Sequence, residues 1–124
     1  MDTNARKDDT NKARFDLIPP RPLYQLAEVY TAGAKKYTDR NWEKGMKWGR
    51  IFGAIMRHLW SFWMGENNDR ESGQPHLAHA AWGCLTLLEY NNTHPEMDDR
   101  PYPAQTNEPN HSLISLTAKG EGTE

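Results

Sequence analysis

Cysteine is almost missing from this chain, with Cys84 standing alone. One cysteine excludes an internal disulfide and fits a reducing cytoplasm. Its apolar neighbours predict a buried, inert thiol. Long apolar runs are missing too, the longest being broken by Arg57 and His58, so no membrane span is expected. The first fifteen residues are charged and polar, which argues against a signal peptide. Charge of one sign is also lacking: 15 Lys and Arg against 17 Asp and Glu leave a formal charge of −2. That is too near neutral for the basic field a nucleic-acid groove requires. No internal repeat is visible.

The 124 residues have room for one domain. Cations do cluster locally, at Lys12–Arg14, Lys35–Arg40 and Lys44–Arg50, which suits a small anionic ligand better than a long polyanion. Residues 1–18 read as an extended polar arm. Pro19, Pro20 and Pro22 then punctuate the chain, and a helix is expected from about Pro22 to Tyr37, with an apolar stripe of Leu23, Leu26, Ala27, Tyr30 and Ala34. A loop follows over Thr38–Gly49. A second helix is predicted over about Arg50–Met64, where Ile51, Ile55, Leu59 and Phe62 recur at helical spacing and Trp60 and Trp63 widen the apolar face. Gly65 suits its C-terminal cap. A third helix is predicted over about Pro75–Asn91, with Leu77, Ala81, Cys84, Leu85 and Leu88 as its core stripe. Residues 92–124 are polar and proline-rich and read as a tail with little structure of its own, able to drape over a neighbour through Tyr102, Ile114 or Leu116.

The fold class expected is therefore all-α, a bundle of short helices. Three helices cannot wrap the five tryptophans and the aliphatic surface they carry. A homo-oligomer, dimer or tetramer, in which helices from two chains complete one bundle, is the economical solution.

Chemistry concentrates in "GENNDRESGQPHLAHAAW", Gly65–Trp82. Three acids, Glu66, Asp69 and Glu71, precede two histidines, His76 and His79, whose spacing of three puts them on one helix face. If the second and third helices are antiparallel, His58 reaches the same end. Carboxylates bind hard cations such as Mg²⁺ and Mn²⁺, and imidazole shifts preference toward Mn²⁺ or Zn²⁺. Lys35, Lys36 and Lys44 could neutralise phosphate, and Trp42, Trp48 or Trp60 could stack on a base. The plainer alternatives are a packed histidine pair, a solvated acidic loop and tryptophans that serve only as core.

The strings "KARFDLIPP" (Lys12–Pro20), "LAEVYTAGAKKYTDRNWEKGMKW" (Leu26–Trp48), "RHLWSFWMGENNDRESGQPHLAHAAW" (Arg57–Trp82) and "LTLLEY" (Leu85–Tyr90) occur in this order. Together they resemble the phage-type dATP/dGTP diphosphohydrolase family, within the MazG-like all-α nucleotide pyrophosphatases, over roughly residues 10–91. The resemblance implies conversion of a purine deoxynucleoside triphosphate, dGTP favoured and dATP second, to the monophosphate and pyrophosphate. It also implies a role in supplying dGMP for modified, 2-aminoadenine-containing phage DNA, in the host cytoplasm. The MazG-like pattern places Glu-x-x-Glu on one helix and Glu-x-x-Asp on the next. Here "RHLWS" (Arg57–Ser61) and "HLAH" (His76–His79) stand in those places. Either loop acids, Glu66 and Asp69, then replace the helix acids, or fewer metals are bound directly.

On that basis Glu66 and Asp69 are expected as the first metal ligands, with His58 and His79 next and His76 as a ligand or support. The metal is Mg²⁺ or Mn²⁺, and Glu66, Asp69 and His79 carry catalysis. Lys35, Lys36 and Arg57 are expected on the phosphates, Asn41 and Trp42 at base or sugar. Lys12, Arg14 and Asp16 form a polar arm beside the site, where Asp16 would accept hydrogen bonds from guanine. The alternative is a non-catalytic nucleotide-binding oligomeric adaptor. A His/Asp-type phosphohydrolase has no adjacent His-Asp pair to support it.

Overall fold

A computed structural model describes residues 4–105. Three α-helices carry the chain, with no strand among the described residues: α1, Pro20–Lys36; α2, Trp48–Trp63; α3, His76–Thr93. The all-α expectation holds. Pro19 and Pro20 start α1 two residues earlier than the periodicity predicts, because proline's fixed φ suits a first helical turn. α2 also starts two residues early, at Trp48. The amide of Gly49 donates to Asp99 Oδ1 (2.8 Å), satisfying a donor that the first turn leaves free. A 3-10 turn, Asn41–Lys44, interrupts the loop before it.

α3 is the central helix, packing along the length of α2 and against α1. α2 and α3 are antiparallel. His58, late in α2, meets His76 at the start of α3, while the Trp48 indole at the start of α2 donates to the carbonyl of His94 beyond the end of α3 (3.2 Å). The core lies between them: Trp48, Ile51, Ile55, Ala80 and Tyr90, with Trp42, Met46, Trp82, Leu87 and Met97 packed against it. Gly83 makes the close approach possible, since a Cβ there would sit 2.4 Å from Ile55 Cγ1. The buried Tyr90 hydroxyl donates to the carbonyl of Trp42 and ties the loop to α3.

Two expectations about α3 are overturned. Leu77, Leu85 and Leu88 of the predicted core stripe are 47%, 46% and 66% exposed, and Ala81 and Cys84 are exposed as well. The buried face is instead His76, Ala78, Ala80, Gly83, Thr86 and Tyr90. α3 is apolar almost all round, so periodicity does not say which side meets α2. Small side chains let the axes approach, and the leucines are left outside. Leu59 and Phe62 of α2 are likewise partly exposed, whereas Ile51 and Ile55 are buried as expected.

Residues 94–100 pack on the start of α2. A 3-10 turn, Pro95–Met97, brings Met97 to the core, and the Arg100 guanidinium lies 4.9 Å over the Trp48 ring. Tyr102 is exposed, and Ile114 and Leu116 lie outside the described residues. No described helix is long and apolar enough to cross a membrane.

Candidate metal and nucleotide site

The α2–α3 connection is built to aim side chains. Gly65, at φ +102°, ends α2. Its amide bonds to Phe62 O (3.0 Å) and that of Glu66 to Ser61 O (3.0 Å), a Schellman turn that sends Glu66 back toward the helix pair. Two backbone bonds then pinch the loop shut: Asp69 N–H to Gln74 O (2.8 Å) and His76 N–H to Asn67 O (2.9 Å). Asp69 Oδ2 accepts the amides of Glu71 (3.1 Å) and Ser72 (2.9 Å). The Ser72 amide above all, and then the Ser72 hydroxyl and the nearby imidazoles, hold its carboxyl below the usual carboxylate range.

Three imidazoles meet this loop. His58 Nδ1 and His76 Nδ1 are 2.9 Å apart. His58 stacks on His79 with ring centroids 4.5 Å apart and planes within 6°. His79 Nε2 contacts Ser72 Oγ at 2.7 Å. His76 is only 3% exposed, and its Nε2 lies 2.7 Å from Glu66 Oε1. A carboxylate can only accept, so His76 Nε2 carries a proton, and the ring in its neutral form would present a bare Nδ1. His58 Nδ1–H then donates to it, or both nitrogens turn bare lone pairs to one cation. Burial pushes the His58 and His79 pKa values down, and neighbouring imidazoles add to this at His58.

His58, Asp69 and His76 offer ligand atoms that all lie within 4.8 Å of one another. The donor set fits a divalent cation: two imidazole nitrogens lie beside a carboxylate whose pKa is lowered. Glu66 occupies an outer position. Its Oε1 orients His76, its Oε2 accepts from Arg70 Nε (2.9 Å), and its pKa is lowered, by His76 first and Arg70 second. This is how carboxylates fix the tautomer of metal-binding histidines.

His58, Asp69, Ser72 and His79 also line a cavity of about 830 Å³ between α1, the loop after it and the α2–α3 end. Tyr30, Trp42 and Trp82 form an aromatic wall there. Tyr30 meets Trp42 edge-on at 6.0 Å and reaches the buried Thr86 Oγ1 at 3.4 Å. Lys36, Asp39, Arg40 and Asn41 line the same space. Lys36 pairs loosely with Glu71 (3.4 Å) and Arg40 with Glu43 (3.5 Å), both in solvent.

Of the residues singled out in the sequence, His58, His76, His79, Asp69 and Glu66 thus form one connected group, and Lys36, Asn41 and Trp42 share its cavity. Lys35 and Lys44 do not line it. Arg57 lines a separate space of about 390 Å³, with Arg50 and Gly53. The arm stays apart: Lys12 is exposed, and Arg14 and Asp16 close an exposed ion pair of their own (2.7 Å). Trp48 belongs to the core, and Trp60 points outward, 63% exposed. Sequence reasoning passed over Ser72, Tyr30, Asp39 and Trp82. For Trp82 a signal existed, its place three residues after His79 on the same helix face.

The family model for the N-terminal part of dATP/dGTP diphosphohydrolases matches residues 2–100. The chain belongs to this family. A curated member, a protein of Salmonella phage PMBT28 named dATP/dGTP diphosphohydrolase, is 37% identical over 98 residues, covering 79% of this chain. The match spans about a third (33%) of that protein's length. No solved structure matches the chain.

Proposed function

We propose that this dATP/dGTP diphosphohydrolase family member hydrolyses a purine deoxynucleoside triphosphate at the α-phosphorus, giving the monophosphate and pyrophosphate. One observation carries the reading: three imidazoles and Asp69 come together at one end of a cavity whose wall is aromatic and whose lining includes Lys36 and Arg40. The donors would be His58, His76 and Asp69, with His79 beside them, and this histidine-rich set favours Mn²⁺ over Mg²⁺. Such an ion would supply charge neutralisation and a more acidic water at neutral pH.

The chain's own groups do the rest. Tyr30, Trp42 and Trp82 would hold the base by stacking. Lys36 and Arg40 would face the phosphates and take up charge, exchanging their weak solvent-exposed partners for the substrate. His79, whose pKa burial lowers and whose Nε2 contacts Ser72 Oγ, would accept a proton from the attacking water. Guanine preference would rest on Asp39, a cavity-lining carboxylate with no ion pair among the described residues, rather than on Asp16. Asp39→Asn should then erode any preference for dGTP over dATP, and unchanged discrimination in competition assays rules that role out. The product, dGMP, would feed precursor synthesis for modified phage DNA, a role supported by family resemblance.

One observation favours a second reading, a nucleotide-binding module without chemistry: the chain spans a third of its curated relative, leaving room for chemistry elsewhere in a protein of that length. The separating experiment incubates pure protein with each of the four dNTPs and Mg²⁺, Mn²⁺ or EDTA and resolves products by anion exchange. EDTA-sensitive release of dGMP or dAMP with pyrophosphate is the expected result. Binding without turnover under every condition selects the second reading.

A further inference from the structure

Gly33 lies in the last turn of α1, and nothing in the packing of the described residues calls for a glycine there. Its backbone is helical, unlike that of Gly45, Gly65 and Gly73, which turn the chain at positive φ. The helix runs on through it, its carbonyl accepting the amide of Tyr37 (2.9 Å). A Cβ built at Gly33 would meet no atom of a packed neighbour within 4 Å, whereas one at Gly83 would strike Ile55. Glycine forms helix less well than alanine, because its backbone loses more freedom on folding. Gly33 therefore weakens α1 and gains no contact in exchange. What it does is leave space: Gly33 is half-buried and lines the 830 Å³ cavity.

The place of Gly33 along α1 says what the space is for. Lys36, three residues on, reaches Glu71 in the loop that leads to the imidazoles (3.4 Å). Tyr30, three residues back, reaches Thr86 on α3 (3.4 Å) and stands 6.0 Å from Trp82, ring to ring. α1 therefore runs antiparallel to α3 along the cavity, from the aromatic wall at Tyr30 to the imidazole end at Lys36. Gly33 sits between the two, about 4.5 Å along the helix axis from each. In a nucleotide, the group between the phosphates and the base is the pentose. We propose that Gly33 is the seat of the sugar: the pentose of the bound nucleotide lies against the bare backbone of α1, where any side chain would take its place. This inference rests on the nucleotide reading given above and deepens it, naming the residue that sets how closely the sugar approaches the helix.

The test makes Gly33→Ala and Gly33→Met in the full chain. It measures thermal melting, and calorimetric binding with Mn²⁺ of tripolyphosphate and of the α,β-imido analogues of dGTP and dATP, which resist cleavage. Alanine is the better helix former and meets no neighbour, so Gly33→Ala should melt about 4 °C higher than wild type. It should nevertheless bind both nucleotide analogues about fivefold or more weakly, by the same factor, because its methyl crowds a filled site. Tripolyphosphate, which has no sugar, should bind as it does to wild type. Gly33→Met, a good helix former long enough to fill the gap, should weaken both nucleotides further. A Gly33→Ala protein that binds the nucleotides like wild type overturns the proposal. So does one that melts lower, which shows that another part of the protein occupies the space. An equal loss for tripolyphosphate places the phosphates at Gly33, and a loss for one purine alone places the base there; either overturns the sugar seat. A wild type that binds dGTP without turning it over overturns hydrolysis alone, and the analogue affinities then decide the seat by themselves. A wild type that binds no dNTP overturns both.

Discussion

Glu66 shows how much a single carboxylate does without touching the cavity. It fixes which nitrogen of His76 is protonated, and Arg70 holds it in turn. Glu66→Gln keeps the shape and removes the charge. It should weaken Mn²⁺ binding by about 10- to 100-fold while leaving thermal stability nearly unchanged. Titration calorimetry reads the first quantity and a melting curve the second. Asp69→Asn should do worse, because Asp69 is both a ligand candidate and the acceptor that closes the loop. The histidines set the pH response. Burial holds His58 and His79 below the ordinary imidazole value. The unfolded chain therefore binds more protons as pH falls. Their contribution to stability is present above about pH 6.5 and is lost as pH drops through their folded values. Metal affinity should fall over the same interval, since only neutral imidazole ligates. Melting temperatures and Mn²⁺ titrations between pH 8 and pH 5 measure both.

Helices and their order are legible in the sequence, because Ile51, Ile55 and the prolines before α1 give local signals that the packing respects. The approach of His58 to His76 is legible too, since it needs only an antiparallel pair and a short loop. The buried face of α3 is not. An almost uniformly apolar helix gives no preferred direction, and Gly83 decides the matter sterically. The outer position of Glu66 depends on the Schellman turn at Gly65 and on the bare nitrogen of His76, neither of which composition reveals. Gly83→Ala should therefore be costly. Its Cβ would overlap Ile55, and overpacking of this kind costs about 1–3 kcal/mol. Chemical denaturation measures the loss, and Ile55→Val should recover part of it. At the start of α2, Asp99→Ala removes the acceptor of the Gly49 amide and should cost about 0.5–2 kcal/mol.

Across the whole molecule, the two parts of the cavity wall differ in how firmly they are held. α2 and α3 share a long interface, whereas α1 packs on α3 and buries only Val29 fully. Nucleotide binding should therefore order α1 and the loop after it more than the hairpin. Amide exchange over residues 20–46 should slow on adding a dNTP, with smaller changes in α2 and α3. Equal protection throughout would mean that the cavity is preformed.

The grouped ligands also have a history in time as well as a place in space. From His58 to His79 is a stretch of 22 residues, and the contacts that join them span 18, 10 and 7 positions. Contacts so close along the chain form early, before distant segments find each other. A cation present during refolding should therefore meet an assembled hairpin before α1 docks, and refolding in Mn²⁺ should run faster than in EDTA. The hairpin would then template its own folding as well as hold the ion.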